Sequence, residues 1–109
     1  MTFTRACAVG DVASGSALAV DVDGTDVAVV HDGDDWYAIA DECSHAAIPL
    51  SEGDVEGCEI ECWLHGSRFD LRTGKPTGPP ATEPVAVYAV QLSGDDVLVD
   101  VTAPINSTD

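Results

Sequence analysis

Residues 18–40 decide the fold class, and they read LAVDVDGTDVAVVHDGDDWYAIA. Apolar residues alternate with other residues on both sides of Asp23-Gly24, which predicts β-strands because the side chains of a strand point alternately to its two faces. Asp-Gly between two such runs is a good hairpin signal, since both residues tolerate positive φ. A second turn at Asp32–Asp35 leads into Trp36–Ala40. The stretch therefore predicts a series of short strands joined by tight turns.

The rest of the chain continues this pattern. Further strands are predicted near Phe3–Val9, Cys58–Cys62, Phe69–Leu71, Val85–Leu92 and Val97–Val101, with turns at Gly10, Thr73-Gly74 and Ser93–Asp96. Residues 74–84 contain four prolines and cannot form regular structure, because proline lacks a backbone donor and fixes φ. No segment shows a sustained helical period. We expect an all-β, antiparallel sandwich or barrel, with one domain at 1–101 and a frayed tail at 102–109.

Acidic residues dominate the charge of the chain. There are 20 Asp and Glu against 4 Lys and Arg, a formal net charge of −16. Such a field repels nucleic acid and anionic membranes, whose binding needs basic residues. It could steer a basic protein partner or simply keep the protein soluble, and the sequence leaves both readings open. A strongly acidic surface also argues against self-association, so we expect a monomer.

The cysteines are better explained by metal ligation than by disulfides. Met1–Ala6 carries one positive charge with no long apolar run after it, so it does not resemble a signal peptide. No apolar stretch is long enough to span a bilayer. We therefore expect a cytoplasmic protein, in which structural disulfides are rare.

Two short segments carry the metal-binding residue types. Cys43-Ser44-His45 and Cys62-Trp63-Leu64-His65 are separated by sixteen residues, and each contains one Cys and one His. A zinc finger usually pairs Cys with Cys and His with His, although a mononuclear zinc site remains an alternative. In a binuclear cluster, one Cys and one His on each segment allow both segments to bind both irons.

These motifs resemble the Rieske ferredoxin family. Cys-x-His is followed by Cys-x-x-His-Gly-Ser, then by Phe69-Asp70 and a proline-rich stretch. The chain is most similar to the ferredoxin components of bacterial aromatic-ring-hydroxylating dioxygenases and to small ferredoxins encoded with iron–sulfur assembly proteins. The resemblance implies a Rieske fold of short antiparallel sheets. It also implies a cluster-binding subdomain at about 41–82, built from two ligand loops and a proline loop.

The resemblance also implies a role for individual residues. Cys43 and Cys62 would bind the inner iron of one [2Fe–2S] cluster, whereas His45 and His65 would bind the outer iron near the surface. Ser67 matches a serine that donates to a bridging sulfide. The family would further assign a tight turn to Gly66 and a covering loop to Gly78-Pro79-Pro80; alternatively, these prolines only rigidify a surface loop.

Some residues depart from the high-potential members of the family. Those members carry two further cysteines that link the ligand loops, where this chain has Ile48 and Leu64. Phe69 stands where they have a hydrogen-bonding tyrosine. Fewer hydrogen bonds to the cluster and many nearby carboxylates both disfavour the reduced state. We expect a reduction potential in the lower part of the Rieske range of roughly −150 to +300 mV.

The remaining cysteines and histidine have simpler interpretations. Cys7 and Cys58 are predicted to be small core residues on the apolar faces of strands. His31 is predicted to be a structural histidine with a hydrogen-bond partner.

The implied function is electron transfer, not catalysis. A Rieske oxygenase needs a second iron bound by two His and a carboxylate, and a chain with three histidines cannot supply both sites. We expect a one-electron carrier between a flavin-containing ferredoxin reductase and a terminal non-heme iron oxygenase. The alternative is an accessory redox or sensor protein of iron–sulfur cluster assembly.

Overall fold

The computed structural model describes residues 3–33, 35–41, 49–61, 68–77, 84–102 and 105. These residues form nine β-strands and two single-turn 3₁₀ helices, at Val9–Asp11 and Leu50–Glu52. The strands are β1 Thr4–Ala8, β2 Ser16–Val22, β3 Thr25–Asp32, β4 Asp35–Ala40, β5 Asp54–Glu56, β6 Glu59–Glu61, β7 Arg68–Asp70, β8 Val87–Ser93 and β9 Asp96–Asp100.

Two antiparallel sheets make up the architecture. The larger has six strands in the order β1-β9-β8-β4-β3-β2, and the smaller has three in the order β5-β6-β7. Within each sheet, all neighbouring strands pair antiparallel, and most of these pairs join strands that are consecutive in the chain. The predicted all-β class with short antiparallel sheets is confirmed. No helix among the described residues has the length and apolar character needed to cross a membrane.

The hairpin predicted at Asp23-Gly24 is confirmed. Val22 pairs with Thr25, and the two residues between them have φ of 52° and 84°. Positive φ at both central positions matches the right-handed twist of the strands that the turn connects. The turn predicted after β3 is also confirmed, because Asp32 pairs with Asp35.

The apolar residues of β3 supply two cores, one on each face of the large sheet. Ala28 and Val30 belong to a core that also contains residues of the small sheet, whereas Val27 and Val29 pack with residues of β1 and β9. All four residues are fully buried, because alternate side chains enter opposite cores. Because both faces of this strand are buried, its central residues are all apolar and do not alternate with polar ones.

Three details differ from the sequence predictions. The first strand ends at Ala8, and a β-bulge between Arg5 and Cys7 interrupts its simple alternation. The strand β5 was not predicted, since three residues are too few for a period-two pattern to stand out. At the C-terminus, the Ile105 N–H donates to the Val87 carbonyl at 2.8 Å. The boundary between residues 101 and 102 stays a prediction.

The prediction for Cys58 was wrong. Cys58 does not lie on the apolar face of a strand but in the two-residue turn between β5 and β6, with φ of 66°. It is half-buried, and its N–H donates to the Asp32 carboxylate at 3.1 Å. A β-like alternation with Ile60 misled the sequence reading, because Gly57 and Cys58 form a tight turn that ends the pattern.

Candidate metal centre

The predicted ligands lie outside the described residues. Cys43 and His45 belong to residues 42–48, whereas Cys62, His65 and Ser67 belong to residues 62–67. Gly66 and the Gly78-Pro79-Pro80 segment are outside as well. Among the described residues, no group of three or more His, Cys, Asp or Glu side chains could hold a metal ion. What the structure describes is therefore the residues on either side of the two segments that contain the predicted ligands.

A hydrogen-bonded clasp closes the base of the 42–48 segment. The Asp41 carboxylate accepts from the Ser51 N–H at 2.7 Å and from the Ser51 hydroxyl at 2.9 Å. The Asp41 N–H itself donates to the Asp26 carbonyl at 3.1 Å, which extends the contact between β4 and β3. Charge-assisted hydrogen bonds of this kind are stronger than neutral ones. The clasp fixes both ends of the segment relative to the large sheet.

A strand pair closes the base of the 62–67 segment. Glu61 at the end of β6 pairs with Arg68 at the start of β7, and Ile60 pairs with Phe69 directly below them. Ile60 and Phe69 are fully buried. Phe69, which stands where high-potential members of the family have a hydrogen-bonding tyrosine, therefore places an apolar ring in the core.

The base of the proline-rich segment also meets β7. The Thr77 N–H donates to the Arg68 carbonyl at 2.7 Å, and the Val85 N–H donates to the Gly74 carbonyl at 2.8 Å. The first bond lies at the Arg68 end of β7, whereas the second lies in the turn beyond Asp70. Arg68, which follows the 62–67 segment, and Thr77, which precedes the 78–83 segment, are therefore neighbours.

Close packing at Gly53 joins the first base to the second. A Cβ at position 53 would lie 1.7 Å from the Glu61 carbonyl oxygen and 3.3 Å from the Leu50 carbonyl oxygen. No side chain fits there, so glycine is required for a close backbone approach and not for its φ, which is −85°. Leu50 is fully buried beside this contact. The bases of the 42–48 and 62–67 segments thus meet at one end of the small sheet, where Thr77, one residue before 78–83, also lies.

Carboxylates lie at both ends of the small sheet. Asp54 faces Glu61 and Glu56 faces Glu59 across β5 and β6. Burial would raise the pKa of the Asp70 carboxyl, but hydrogen bonds from the backbone and side chain of Arg72 outweigh this and lower the pKa below its usual value. At the end next to the 62–67 segment, Asp54 and Glu61 supply the negative charge that the sequence predicts beside the proposed ligands.

His31 and Cys7 are structural. The His31 Nδ1 lies 3.0 Å from the Val12 carbonyl oxygen, and its ring stacks on Trp36 with centroids 4.1 Å apart. Cys7 is buried and its thiol is free, as is that of Cys58. Burial raises the pKa of the Cys7 thiol. The prediction of a partnered structural histidine and of a core cysteine at position 7 is confirmed.

A hollow of about 250 Å³ lies between the large sheet and the described residues near the C-terminus. Its walls include Trp36, Tyr37, Leu71, Tyr88 and Ile105.

Sequence reasoning missed the residues that build the bases of the segments. Ser51 and Gly53 were not singled out, and Asp41 was counted only among the 20 acidic residues. Their signal is weak, because one serine and one glycine in a polar stretch are common in any loop. Their importance comes from contacts across the fold with Asp41 and Glu61.

Comparisons with known proteins agree with this arrangement. Residues 2–89 match the family described as the Rieske [2Fe-2S] domain. The biphenyl dioxygenase ferredoxin subunit of Pseudomonas sp. (strain KKS102) is 45% identical over 101 residues, which is 92% of this chain and 93% of that protein.

Solved structures show the same relationship. The ferredoxin of carbazole 1,9a-dioxygenase from Nocardioides aromaticivorans IC177 superposes with a TM-score of 0.86 and 44% identity, covering 95% of this chain and 99% of its own. A chain in the complex of reduced oxygenase and oxidized ferredoxin in carbazole 1,9a-dioxygenase gives a TM-score of 0.87 and 34% identity, covering 95% and 97%.

The chain therefore belongs to the Rieske [2Fe–2S] domain family. It is a ferredoxin with one Rieske-type cluster, an electron-transfer protein and not a catalytic subunit.

Proposed function

We propose that this chain carries single electrons from a flavin-containing ferredoxin reductase to a terminal non-heme iron oxygenase, with Cys43, His45, Cys62 and His65 as the cluster ligands. Cys43 and Cys62 would hold the inner iron, and His45 and His65 the outer one. Ser67 would donate a hydrogen bond to the cluster. The cluster-binding part would span about 41–82 within a domain at 1–101.

The observation that carries the proposal is that the bases of the two segments with the Cys and His residues meet at one end of the small sheet. The first base contains the Asp41–Ser51 clasp, and the second is the Glu61–Arg68 strand pair. Gly53 packs one against the other. A donor set of two thiolates and two imidazoles is that of a Rieske cluster, and here each segment brings one of each kind.

The chain's own residues support and shield the ligands. When bound, a Rieske cluster accepts and returns one electron, and its oxidised form with two thiolates and two neutral imidazoles has no net charge. Leu50, Ile60 and Phe69 form a fully buried apolar floor beneath the segment bases. Such a floor excludes water from one side, and a rigid frame reduces the rearrangement that accompanies a change of charge.

The partners are supported by the relatives and by the charge. The similar proteins named above are ferredoxins of dioxygenase systems, and one lies in a complex of oxygenase and ferredoxin. A net charge of −16 would accelerate encounters with partners whose docking surfaces are basic. We expect the protein to act as a monomer in the cytoplasm.

His31 does not supply a second iron site. It pairs with Trp36 at one end of the β3–β4 hairpin, whereas Ala40 and Asp41 lie at the other. Four residues of strand separate these ends by about 13 Å. With two histidines assigned to the cluster, His31 alone cannot build the two-histidine, one-carboxylate site of an oxygenase.

The first test is electron paramagnetic resonance of the anaerobically reduced protein, with iron, zinc and sulfide analysis. We expect a rhombic signal of low average g, with two irons and two sulfides per chain. A silent sample containing one zinc and no sulfide, even after reconstitution, would contradict the proposal.

The second test is turnover with partners of stated identity. The reductase and oxygenase of the biphenyl dioxygenase system of Pseudomonas sp. strain KKS102 can be combined with this ferredoxin in stopped-flow experiments. We expect rapid reduction by the reductase and rapid reoxidation by the oxygenase, both slower at high salt. Stable association with iron–sulfur assembly proteins, without turnover in this assay, would favour the accessory role instead.

A further inference from the structure

The outward face of the small sheet sets like charges opposite each other. Asp54 pairs with Glu61, and Glu56 pairs with Glu59. Directly opposite side chains on one face of an antiparallel pair start about 5 Å apart, so like charges there destabilise the sheet. The compensating charge on this face comes from β7.

Arg68 supplies this charge to both glutamates of β6. Its Nη1 lies 3.3 Å from Oε1 of Glu59, and its Nε lies 3.4 Å from Oε2 of Glu61. The side chain of Arg68 is 37% exposed, and those of the two glutamates are 30% and 31% exposed. One planar guanidinium thus spans two neighbouring carboxylates, an arrangement that a lysine ammonium cannot reproduce as well.

The backbone of Arg68 connects a second segment to the same place. Its carbonyl accepts from the Thr77 N–H at 2.7 Å and from the Thr77 hydroxyl at 3.3 Å. Arg68 therefore stands between the base of the 62–67 segment and the described residue that precedes 78–83.

The other basic residues have different surroundings. Arg5 pairs with Asp96 at the β1–β9 edge, and Arg72 pairs with Asp70 beyond the far end of β7. Their side chains are 58% and 66% exposed, well above the value for Arg68. Lys75 lies in the following turn and is also exposed.

We propose that Arg68 is a positioning residue of the cluster site, which neutralises Glu59 and Glu61 and thereby raises the reduction potential. The inference rests on the proposed function, because it takes Cys62 and His65 as ligands. Arg68 follows His65 by three residues and faces Glu61, which precedes Cys62. Reduction adds a negative charge at the site, so carboxylates oppose it and a nearby guanidinium favours it.

Redox titration of the full-length holoprotein tests this with a matched pair of variants. Arg68→Gln should shift the reduction potential downward, and Arg72→Gln, which removes the same charge from the turn beyond the far end of β7, should shift it less. Glu61→Gln should shift it upward. The difference between the two arginine variants should shrink at high ionic strength, because partly exposed charges are screened.

Two further readouts separate the possible roles of Arg68. Arg68→Lys keeps the positive charge, so its reduction potential should stay close to that of the unsubstituted protein. The rhombic resonance signal reports whether the cluster is intact in each variant. Equal shifts for Arg68→Gln and Arg72→Gln would overturn the inference, since only net charge would then matter. An unchanged potential in Arg68→Gln with an intact signal would also overturn it, while leaving the proposed function standing.

If Arg68→Gln loses the cluster, the inference is tested by Glu61→Gln and Arg68→Lys instead. An upward shift in Glu61→Gln together with a preserved potential in Arg68→Lys supports the inference, and no shift in Glu61→Gln overturns it. Absence of a rhombic signal in the unsubstituted protein would overturn the proposed function and this inference with it.

Discussion

An interior strand of the large sheet, β3, and the central strand of the small sheet, β6, use their residues in opposite ways. In β3, Val27–Val30 are all fully buried because the strand lies between two cores. In β6, Ile60 is buried, but the glutamates on either side of it face outward. Full burial of a valine contributes about 1.5–3 kcal/mol, whereas opposed carboxylates reduce stability. The large sheet contributes most of the buried apolar residues, whereas the small sheet carries opposed charges and adjoins the proposed ligand segment 62–67.

Removing a proposed ligand should have the largest effect on the small-sheet end of the molecule. Cys62→Ser should abolish the rhombic signal, because serine cannot replace a thiolate in this donor set. Cys58→Ser, only four residues away, should retain it, since Cys58 lies in the turn at the opposite end of β6. Likewise, His65→Gln should abolish the signal, and the control variant His31→Gln should retain it. Loss of the signal in Cys58→Ser would mean that the ligands are wrongly assigned.

Removal of the cluster should separate the two sheets by their stability. Metal binding is coupled to folding, so the region that holds the cluster loses the most when it leaves. Amide hydrogen exchange of the apoprotein should show that β3 and β4 retain their protection. In β6 and β7 the protection factors should fall by roughly 10-fold or more. Equal loss in both sheets would show that they unfold as one unit.

A methyl group at position 53 should damage the small sheet while leaving the large one intact. Gly53→Ala would place a Cβ 1.7 Å from the Glu61 carbonyl oxygen, so the backbone must shift. We expect a loss of about 3 kcal/mol or more in the free energy of unfolding, together with poor cluster retention. Gly10→Ala is the control, since no atom lies within 4 Å of its Cβ position. Chemical denaturation and iron content measure both effects.

Loss of the Ser51 hydroxyl should have a smaller effect. Ser51→Ala removes one of two hydrogen bonds to the Asp41 carboxylate and leaves the backbone bond in place. We expect about 1 kcal/mol of destabilisation and faster release of iron to a chelator. Ser93→Ala, at an exposed position at the end of β8, should change neither. Equal rates of iron release would mean that the clasp does not hold the 42–48 segment.

The sequence predicted the parts of the molecule in which local pattern and structure agree. Asp23-Gly24 is a turn because of its own backbone preferences, and the alternation around it continues into the core. Cys58 was misread because a local alternation with Ile60 ignored the turn at Gly57. Gly53 and Ser51 could not be predicted, since their roles depend on Glu61 and Asp41, which the fold brings close. The ligand types were evident from the sequence, and their assignment as ligands stays a prediction.

The smallest expected effect concerns a polar contact between the two sheets. The Tyr37 hydroxyl of β4 donates to Cys58 Sγ at 3.5 Å, and this bond, with burial, raises the pKa of Tyr37 to about 12. A phenol whose folded pKa exceeds its unfolded value contributes stability that is complete below about pH 10 and is lost as the pH rises toward 12.

Tyr37→Phe tests whether this contact couples the sheets. The variant should lose less than about 1 kcal/mol at neutral pH, because one weak hydrogen bond is removed, and its stability should fall less steeply between pH 10 and 12. In Tyr88→Phe, Tyr37 is the remaining tyrosine, so tyrosinate absorbance reports its titration directly. An ordinary pKa there would mean that the contact with Cys58 does not persist in solution, and the two sheets would then be joined chiefly through the apolar core that they share.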